Sequence, residues 1–404
     1  MAHFKYKNVA FVLSLFDTGL AAIRNLGRLG VPVIGIDSNP QMPGFKSKYC
    51  VAKLCPDPVR QPEELLRFLL SEGQKLDCPG ILLPASDAFV FFISRCREPL
   101  KTYFNFILPH SDVLEKIIDK HQQYELAKES GLMCPNVFFP ATPKDLDNIK
   151  NRIIYPVFIK PYYTYLWRYY LPNKGFKVDS YQELVERFRT IWDTGLQAMV
   201  QSVIPGPSTN NFEMSSYICT TGKVLAIFTV RKVRQYPPDL GTATLVESVH
   251  FPELVNLGLR FLHNIHYRGV SNLEFKLDEQ DGQLKFIEIN ARLWLQNDHA
   301  TACGVNIPLM AYLDLIGQDP IPQLEFTEGN KWIDIISDFQ SFWYFSRRGD
   351  LHFKNWLATW HGTKTFAIFT WDDPVPALHS IEYGLKFLRL PLYLFRHQRN
   401  YKYG

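Results

Sequence analysis

The chain of 404 residues has seven cysteines, scattered and odd in number, and none forms a CxxC pair. That argues against a disulfide framework or a zinc site and for reduced thiols in a cytosolic protein. It has no low-complexity tract, and no apolar run reaches the length of a transmembrane helix. A strong charge is missing too: the net charge is +4, far from the concentrated basic face of a nucleic-acid binder. The start, Lys5 to Phe16, is too short in its apolar part for a signal peptide, lacks a small-residue cleavage site and runs straight into Asp17, so it reads as a strand. The turn after that strand is SLFDTG, with none of the GxGxxG glycines that let a backbone approach a pyrophosphate. A nicotinamide-dinucleotide site is therefore not expected there.

What is present is a long chain, 46% hydrophobic and 14% aromatic, which predicts two or three domains. The run VAFVLSL at 9–15 suits a strand buried on both faces. Leu20, Ile23, Leu26 and Leu29 follow at three-residue steps, a helical stripe that Gly30 ends, and VPVIGID makes the next strand. Strand, helix and strand so close together predict a right-handed βαβ unit in a parallel sheet. A helix over Glu63–Leu70 and a strand over Gly80–Pro84 continue it. From Ser111 the pattern changes. A helix over Ser111–Ser130 precedes the strand YPVFIKP, a helix over Tyr181–Trp192 and the strand QAMVQSVIPG. Two strands joined by a Thr-Gly turn (SSYICTTGKVLAIFTV), a helix from Phe251 to about His263, and the strands VSNLEFKLD and QLKFIEIN complete an antiparallel α+β region. The boundary is expected near 110–116.

FIEINAR, residues 286–292, carries the strongest chemical signal. In a strand Glu288 and Asn290 face the same way, and Glu274 on the neighbouring strand LEFKLD can reach that face. Two carboxylates and an amide oxygen suit a hard divalent cation such as Mg²⁺, which keeps sites open for phosphates. Arg292, two residues on, can meet a transferring phosphoryl group or an oxyanion. Lys160 ends the apolar strand PVFIKP, a costly place for a cation without an anionic partner, and Lys120 lies on a helix that can aim at the same spot. VQSVIPGP, residues 200–207, is suited to an interdomain hinge whose backbone reads an adenine edge.

In this order the motifs DKHQQYELAKESGLMCP, YPVFIKP, VQSVIPGPSTNNFE and LEFK…FIEINAR resemble the ATP-grasp superfamily over about 8–320, and RKVRQYPPDLGTATLVES at 231–248 is similar to its carboxylate–amine ligases, the D-aspartate ligases and relatives of the carbamoyl-phosphate synthase large chain. The resemblance implies a mixed α/β and α+β chain: a Rossmann-like domain at 1–115 that helps shape a substrate site, an ATP-grasp domain of two α+β lobes at 116–320, and an extension at 321–404. It also implies roles. Lys120 and Lys160 hold ATP phosphates, the stretch Gln201, Ser202, Val203 and Ile204 holds adenine, and Glu213 holds ribose. Glu274, Glu288 and Asn290 bind Mg²⁺, with Mn²⁺ as an alternative, while Arg292 and Arg231 steady the acyl phosphate and substrate. Two departures stand out. The Gly-rich loop after the strand lysine is replaced by YYTYLWRYYLPNKG, from which Lys174 can still reach the γ-phosphate, and Ser202 stands where a Glu is common.

The expected activity is a ligase that activates a small-molecule carboxylate with ATP and joins it to an amine, with an amino acid or a cell-envelope precursor among the candidate substrates. An ATP-binding scaffold without turnover and a phosphotransferase stay open on the same fold. After Glu382 the tail has five Lys/Arg, no acid and many Leu, Phe and Tyr residues. It either packs on the core or lies on an anionic membrane through 385–404, which would make a cytoplasmic protein peripheral to the inner face of the membrane. The oligomeric state is left open.

Overall fold

The computed structural model describes residues 5–167, 169–171, 174–238 and 241–381. Its strands form three sheets. The first is parallel, in the order β3-β2-β1-β4-β5, from β1 (Ala10–Leu13), β2 (Val33–Asp37), β3 (Val51–Leu54), β4 (Gly80–Pro84) and β5 (Phe104–Asn105). The apolar run of β1 is wholly buried, as a central strand covered on both faces must be. Strand order reverses on either side of β1, so the crevice between the C-terminal ends of β1 and β4 is the switch point at which open parallel sheets bind ligands. Asp37, at the end of β2, gives its carboxylate to backbone: it accepts from the N–H of Leu15 at 2.6 Å and of Asn39 at 2.9 Å.

The second sheet, β6-β9-β7-β8, joins β6 (Val137–Phe138), β7 (Val157–Pro161), β8 (Phe176–Val178) and β9 (Ala198–Ser202). The helix Tyr181–Asp193 packs on it through Leu184, Phe188 and Ile191, which recur every three to four residues and are buried. The third sheet has seven strands in the order β14-β13-β10-β11-β12-β15-β16: β10 (Asn211–Ile218), β11 (Val224–Tyr236), β12 (Thr242–Ser248), β13 (Gly269–Leu277), β14 (Leu284–Asn290), β15 (Lys331–Ile333) and β16 (Lys364–Phe366). One of its faces packs on the helix Pro252–Asn264; the other, through residues such as Tyr217, Phe228 and Val230, shares a core with the helices Asn297–Ala302 and Ile307–Leu315 and with the first sheet.

Two differences from the sequence reading matter. The helix expected over 111–130 is two helices, Ser111–Ile118 and Lys120–Glu129. Asp119 between them is extended (φ −83°, ψ 110°), and its carboxylate caps the second helix by accepting from the N–H of His121 and Gln122. The region after 320 is also part of the body: β15 pairs with β12, and β16 closes the sheet edge. Strands of three residues are too short for alternation to reveal them. The stretch 385–404 lies outside the described residues, and among those described no helix is long and apolar enough to cross a membrane.

Candidate active site

Register builds the site. Glu213 on β10 stands opposite Glu274 on β13, and Glu274 stands opposite Glu288 on β14, so three carboxylates form one row across adjacent strands. Directly opposed positions place Cβ atoms about 5 Å apart, where like charges repel. Asn272 and Asn290 pair two residues along, on the same face. The Asn272 amide donates to Glu213 at 3.2 Å and to the Ser215 hydroxyl at 3.1 Å, and the Asn290 amide donates to Glu288 at 3.2 Å.

Cations meet this row from three directions. Lys120 is the first residue of its helix because Asp119 breaks the chain there, and its ammonium pairs with Glu288. Lys160, half-buried at the end of β7, feels the charges of Glu288, Lys120, Glu274 and Lys232. Lys232 on β11 is buried beside Glu213 and Glu274. The electrostatics follow from this crowding. Burial and then the neighbouring Glu288 and Glu213 push Glu274 up to about 7. Burial also raises Glu213. Burial acts the same way on Glu288, but the Lys120 ammonium outweighs it and holds this carboxyl well below the usual range. Burial brings Lys160 down to about 8. Such a row is costly as it stands, and an added cation with anionic phosphate oxygens would relieve it.

The remaining predicted residues are spread around this centre. Arg292 touches Asn290 at 3.3 Å but is held mainly by Asp87, at 2.5 Å, the first residue of the helix that follows β4. Burial opposes its charge, and Asp87 more than restores it. This ion pair ties the FIEINAR strand to the mouth of the switch-point crevice, where the Leu293 N–H also donates to the Pro84 carbonyl. Gln201 is buried on β9 and accepts from the Tyr124 hydroxyl at 3.3 Å; that hydroxyl also donates to the Ile287 carbonyl at 2.8 Å. Thus the candidate adenine strand is coupled to the strand of Glu288. Ser202 ends β9, Val203 follows it, and the Ile204 carbonyl accepts from Lys276 at 2.8 Å. Lys174 lies beside β12, on the hydroxyl of Thr242. Gly175 next to it could not carry a side chain, since a Cβ there would stand 2.3 Å from the Ile159 carbonyl oxygen.

Arg231 differs from its expected place. It pairs in register with Phe212, so alternation turns it to the face opposite Glu213, and it binds Glu247 at 2.9 Å. The cation that β11 brings to the acid row is Lys232, the next residue. Lys232 and Asp87 were the functional candidates that sequence reading passed over. Adjacency to Arg231 in the RKVRQYPP motif was the available signal for the first; nothing local pointed to the second.

Among the described residues no group of three or more His, Cys, Asp or Glu side chains is arranged to hold a metal ion. The predicted set offers two carboxylates and an amide instead, a donor set that fits a hard cation sharing its shell with water and phosphate.

Residues 241–312 match the family model described as carbamoyl-phosphate synthase L chain, ATP binding domain. The chain is 23% identical over 284 residues to a D-aspartate ligase of Enterococcus faecium (strain Aus0004), covering 67% of this chain and 66% of that one, a little under two thirds of the relative's length. Among solved structures, the biotin carboxylase domain of the Hydrogenobacter thermophilus 2-oxoglutarate carboxylase, in complex with MgADP and bicarbonate, superposes with a TM-score of 0.61 at 18% identity, covering 81% of this chain and 73% of that one. An L-amino acid ligase from Bacillus licheniformis does so with a TM-score of 0.58 at 16% identity, over 78% and 75% of the two chains. In fold over most of its length, and in sequence across 241–312, the chain is similar to ATP-grasp proteins of the carboxylate–amine ligase group.

Proposed function

We propose that the chain is an ATP-dependent ligase that activates a carboxylate as an acyl phosphate and joins it to an amine, releasing ADP and phosphate. The observation that carries this reading is the row Glu213–Glu274–Glu288, with Lys120, Lys160 and Lys232 converging on it. Glu274, Glu288 and Asn290 are the residues that would hold Mg²⁺ or Mn²⁺, which would neutralise phosphate charge as the γ-phosphoryl group moves. Lys120 and Lys160 would hold phosphate oxygens, and in doing so Lys120 exchanges its partner Glu288 for the nucleotide. The strand from Gln201 to Ile204 would read adenine. Glu213 is buried between Asn272 and Lys232, which supports a part in setting the charge of the row rather than in holding ribose.

The division of labour we infer places nucleotide on the ATP-grasp body from 116 onward and the acceptor over the platform formed by 1–115. Arg292, held by Asp87 at the edge of the switch-point crevice, is placed between them and would steady the acyl phosphate oxyanion. Lys174 on Thr242 sits where the loop after β7 reaches the large sheet, and could close over the phosphates with it. Closure would shield an intermediate that water would otherwise hydrolyse.

Hydroxylamine tests the reading without knowledge of the natural amine, because it converts acyl phosphates to hydroxamates. A panel of amino acids and other small carboxylates with ATP, Mg²⁺ and hydroxylamine is expected to give hydroxamate and ADP in equal amounts for at least one acid. A stable phosphorylated product would instead identify a phosphotransferase, and ADP formation indifferent to every carboxylate would remove the ligase reading.

A further inference from the structure

The region 335–381 is apolar on its outside as well as its inside. It holds ten of the twenty large apolar side chains that stand exposed among the described residues, a density that calls for a partner. On the helix Ile335–Arg347, Ile336, Phe339 and Trp343 recur at steps of three and four on one side, each about half exposed. The helix Phe353–Ala358 adds exposed Phe353 and Leu357. Ring contacts carry the patch onward: Trp356 to Trp360 at 4.9 Å, Trp360 to Phe366 at 6.4 Å, Phe366 to Phe369 at 6.5 Å, and Phe369 to Trp371 at 4.8 Å. Trp371 is 89% exposed, and exposed Val375, Leu378 and Ile381 follow on a helical stretch at 375–381.

This outer surface is also positively charged. Between 335 and 371 the acids are Asp338 and Asp350, against Arg347, Arg348, Lys354 and Lys364. Asp338 is buried on Arg234. Asp372 and Asp373, which follow, are bound to Arg28, just past the end of the first helix (Asp17–Gly27), and to Arg24 within it. The Arg347 guanidinium lies 4.6 Å from the centre of the Trp343 ring, which pairs a cation with an amphipathic aromatic.

We propose that this aromatic arc docks on the surface of an anionic lipid bilayer. Tryptophans and leucines flanked by Lys and Arg suit the headgroup boundary, where rings bury their apolar part and cations face lipid phosphates. Charge decides against the other occupants. The chain's own continuation beyond Glu382 carries five Lys/Arg and no acid, so its sign repels the arc, and a second copy would bring the same cations face to face. An anionic surface matches the arc and the continuing chain together. None of the arc's exposed side chains belongs to the carboxylate row or to the lysines that meet it.

Sedimentation with phosphatidylcholine vesicles containing phosphatidylglycerol tests this, using the full chain. The wild type is expected to bind at low salt, to be released by high salt, and not to bind pure phosphatidylcholine. Trp343→Glu with Trp371→Glu, at two exposed positions, is expected to lower partitioning about tenfold or more while nucleotide binding and thermal midpoint stay unchanged. Lys354→Glu with Lys364→Glu, at two exposed positions that leave the Arg347–Trp343 contact in place, should act in the same direction. Absence of wild-type binding overturns the proposal. So does equal binding by both variant pairs, which would assign the contact to another part of the chain, and so does a wild-type dimer that the tryptophan variant splits.

Discussion

The protein buries carboxylates in two ways. Asp338, on the helix Ile335–Arg347, accepts two bonds from the Arg234 guanidinium at 2.9 and 2.8 Å, one from the Thr244 hydroxyl at 2.9 Å, and one from each indole of Trp356 and Trp360 at 2.7 and 2.8 Å. Every lone-pair direction is occupied by a donor. The row Glu213–Glu274–Glu288 places acid beside acid instead, and the cations that approach it leave Glu274 pushed up to about 7. A buried charge that the fold satisfies is a fastener, here holding the C-terminal helices to β11 and β12. Buried charges left in mutual repulsion are fit for a ligand to complete.

Breaking the fastener should have the largest effect. Asp338→Ala leaves Arg234 buried without its partner, and a loss of about 3–5 kcal/mol in unfolding free energy is expected, read by chemical denaturation. Asp338→Asn should cost less, since it keeps the shape and accepts some of the same donors. The acid row should respond in the opposite sense. Glu288→Gln removes a charge that the proposed phosphate site needs, so ATP turnover should fall by at least about a hundredfold while the fold persists. Near-wild-type turnover would return Glu288 to the status of an ordinary buried acid. Lys160→Ala is expected to weaken nucleotide affinity about tenfold or more by calorimetry, with little change in thermal midpoint, because a strand-end ammonium packs little. Unchanged affinity would detach Lys160 from the site.

A third buried acid sharpens the contrast at smaller amplitude. Asp17, at the start of the first helix, has one carboxylate oxygen with no hydrogen-bond partner, and burial, then Asp334 and Asp298, push it up to about 8. The folded chain therefore keeps a proton that the unfolded chain releases above its ordinary value of 3.8. Between about 4 and 8 the unfolded state binds fewer protons, so this group makes stability fall as pH rises through that window. Asp17→Asn should remove this slope and raise the thermal midpoint by a few degrees, about 2–4 °C, at pH 8 and by little at pH 4. An equal shift at both pH values would mean that the side chain acts through packing and not through its proton.

These contrasts were unevenly legible in the sequence. Strand alternation in FIEIN is local, so the common face of Glu288 and Asn290 could be read directly, and the paired strand LEFKLD supplied Glu274. The βαβ start was legible because β1 and its helix carry clear periodicity. Lys120 was legible as a residue but not as a direction, which depends on Asp119 ending one helix and capping the next. The choice between Arg231 and Lys232 depends on how β10 and β11 register, including an irregularity just after Lys232, and no local pattern encodes that. Asp87 meets Arg292 across 205 positions of sequence, and β15 and β16 are too short to announce themselves. Asp338 was invisible for the same reason as Asp87, because its donors come from three separate segments.

The proposed function requires that the repelling acid row be completed by a divalent cation with nucleotide. Its most direct test is the thermal shift produced by ADP with and without Mg²⁺, measured on the wild type and on Glu274→Gln with Glu288→Gln. The wild type is expected to gain a clear stabilisation from ADP that requires Mg²⁺. The double variant is expected to lose the Mg²⁺-dependent part of the shift, judged against its own unliganded midpoint because Glu288→Gln also removes the partner of Lys120. A double variant that keeps the full Mg²⁺-dependent shift would contradict the account.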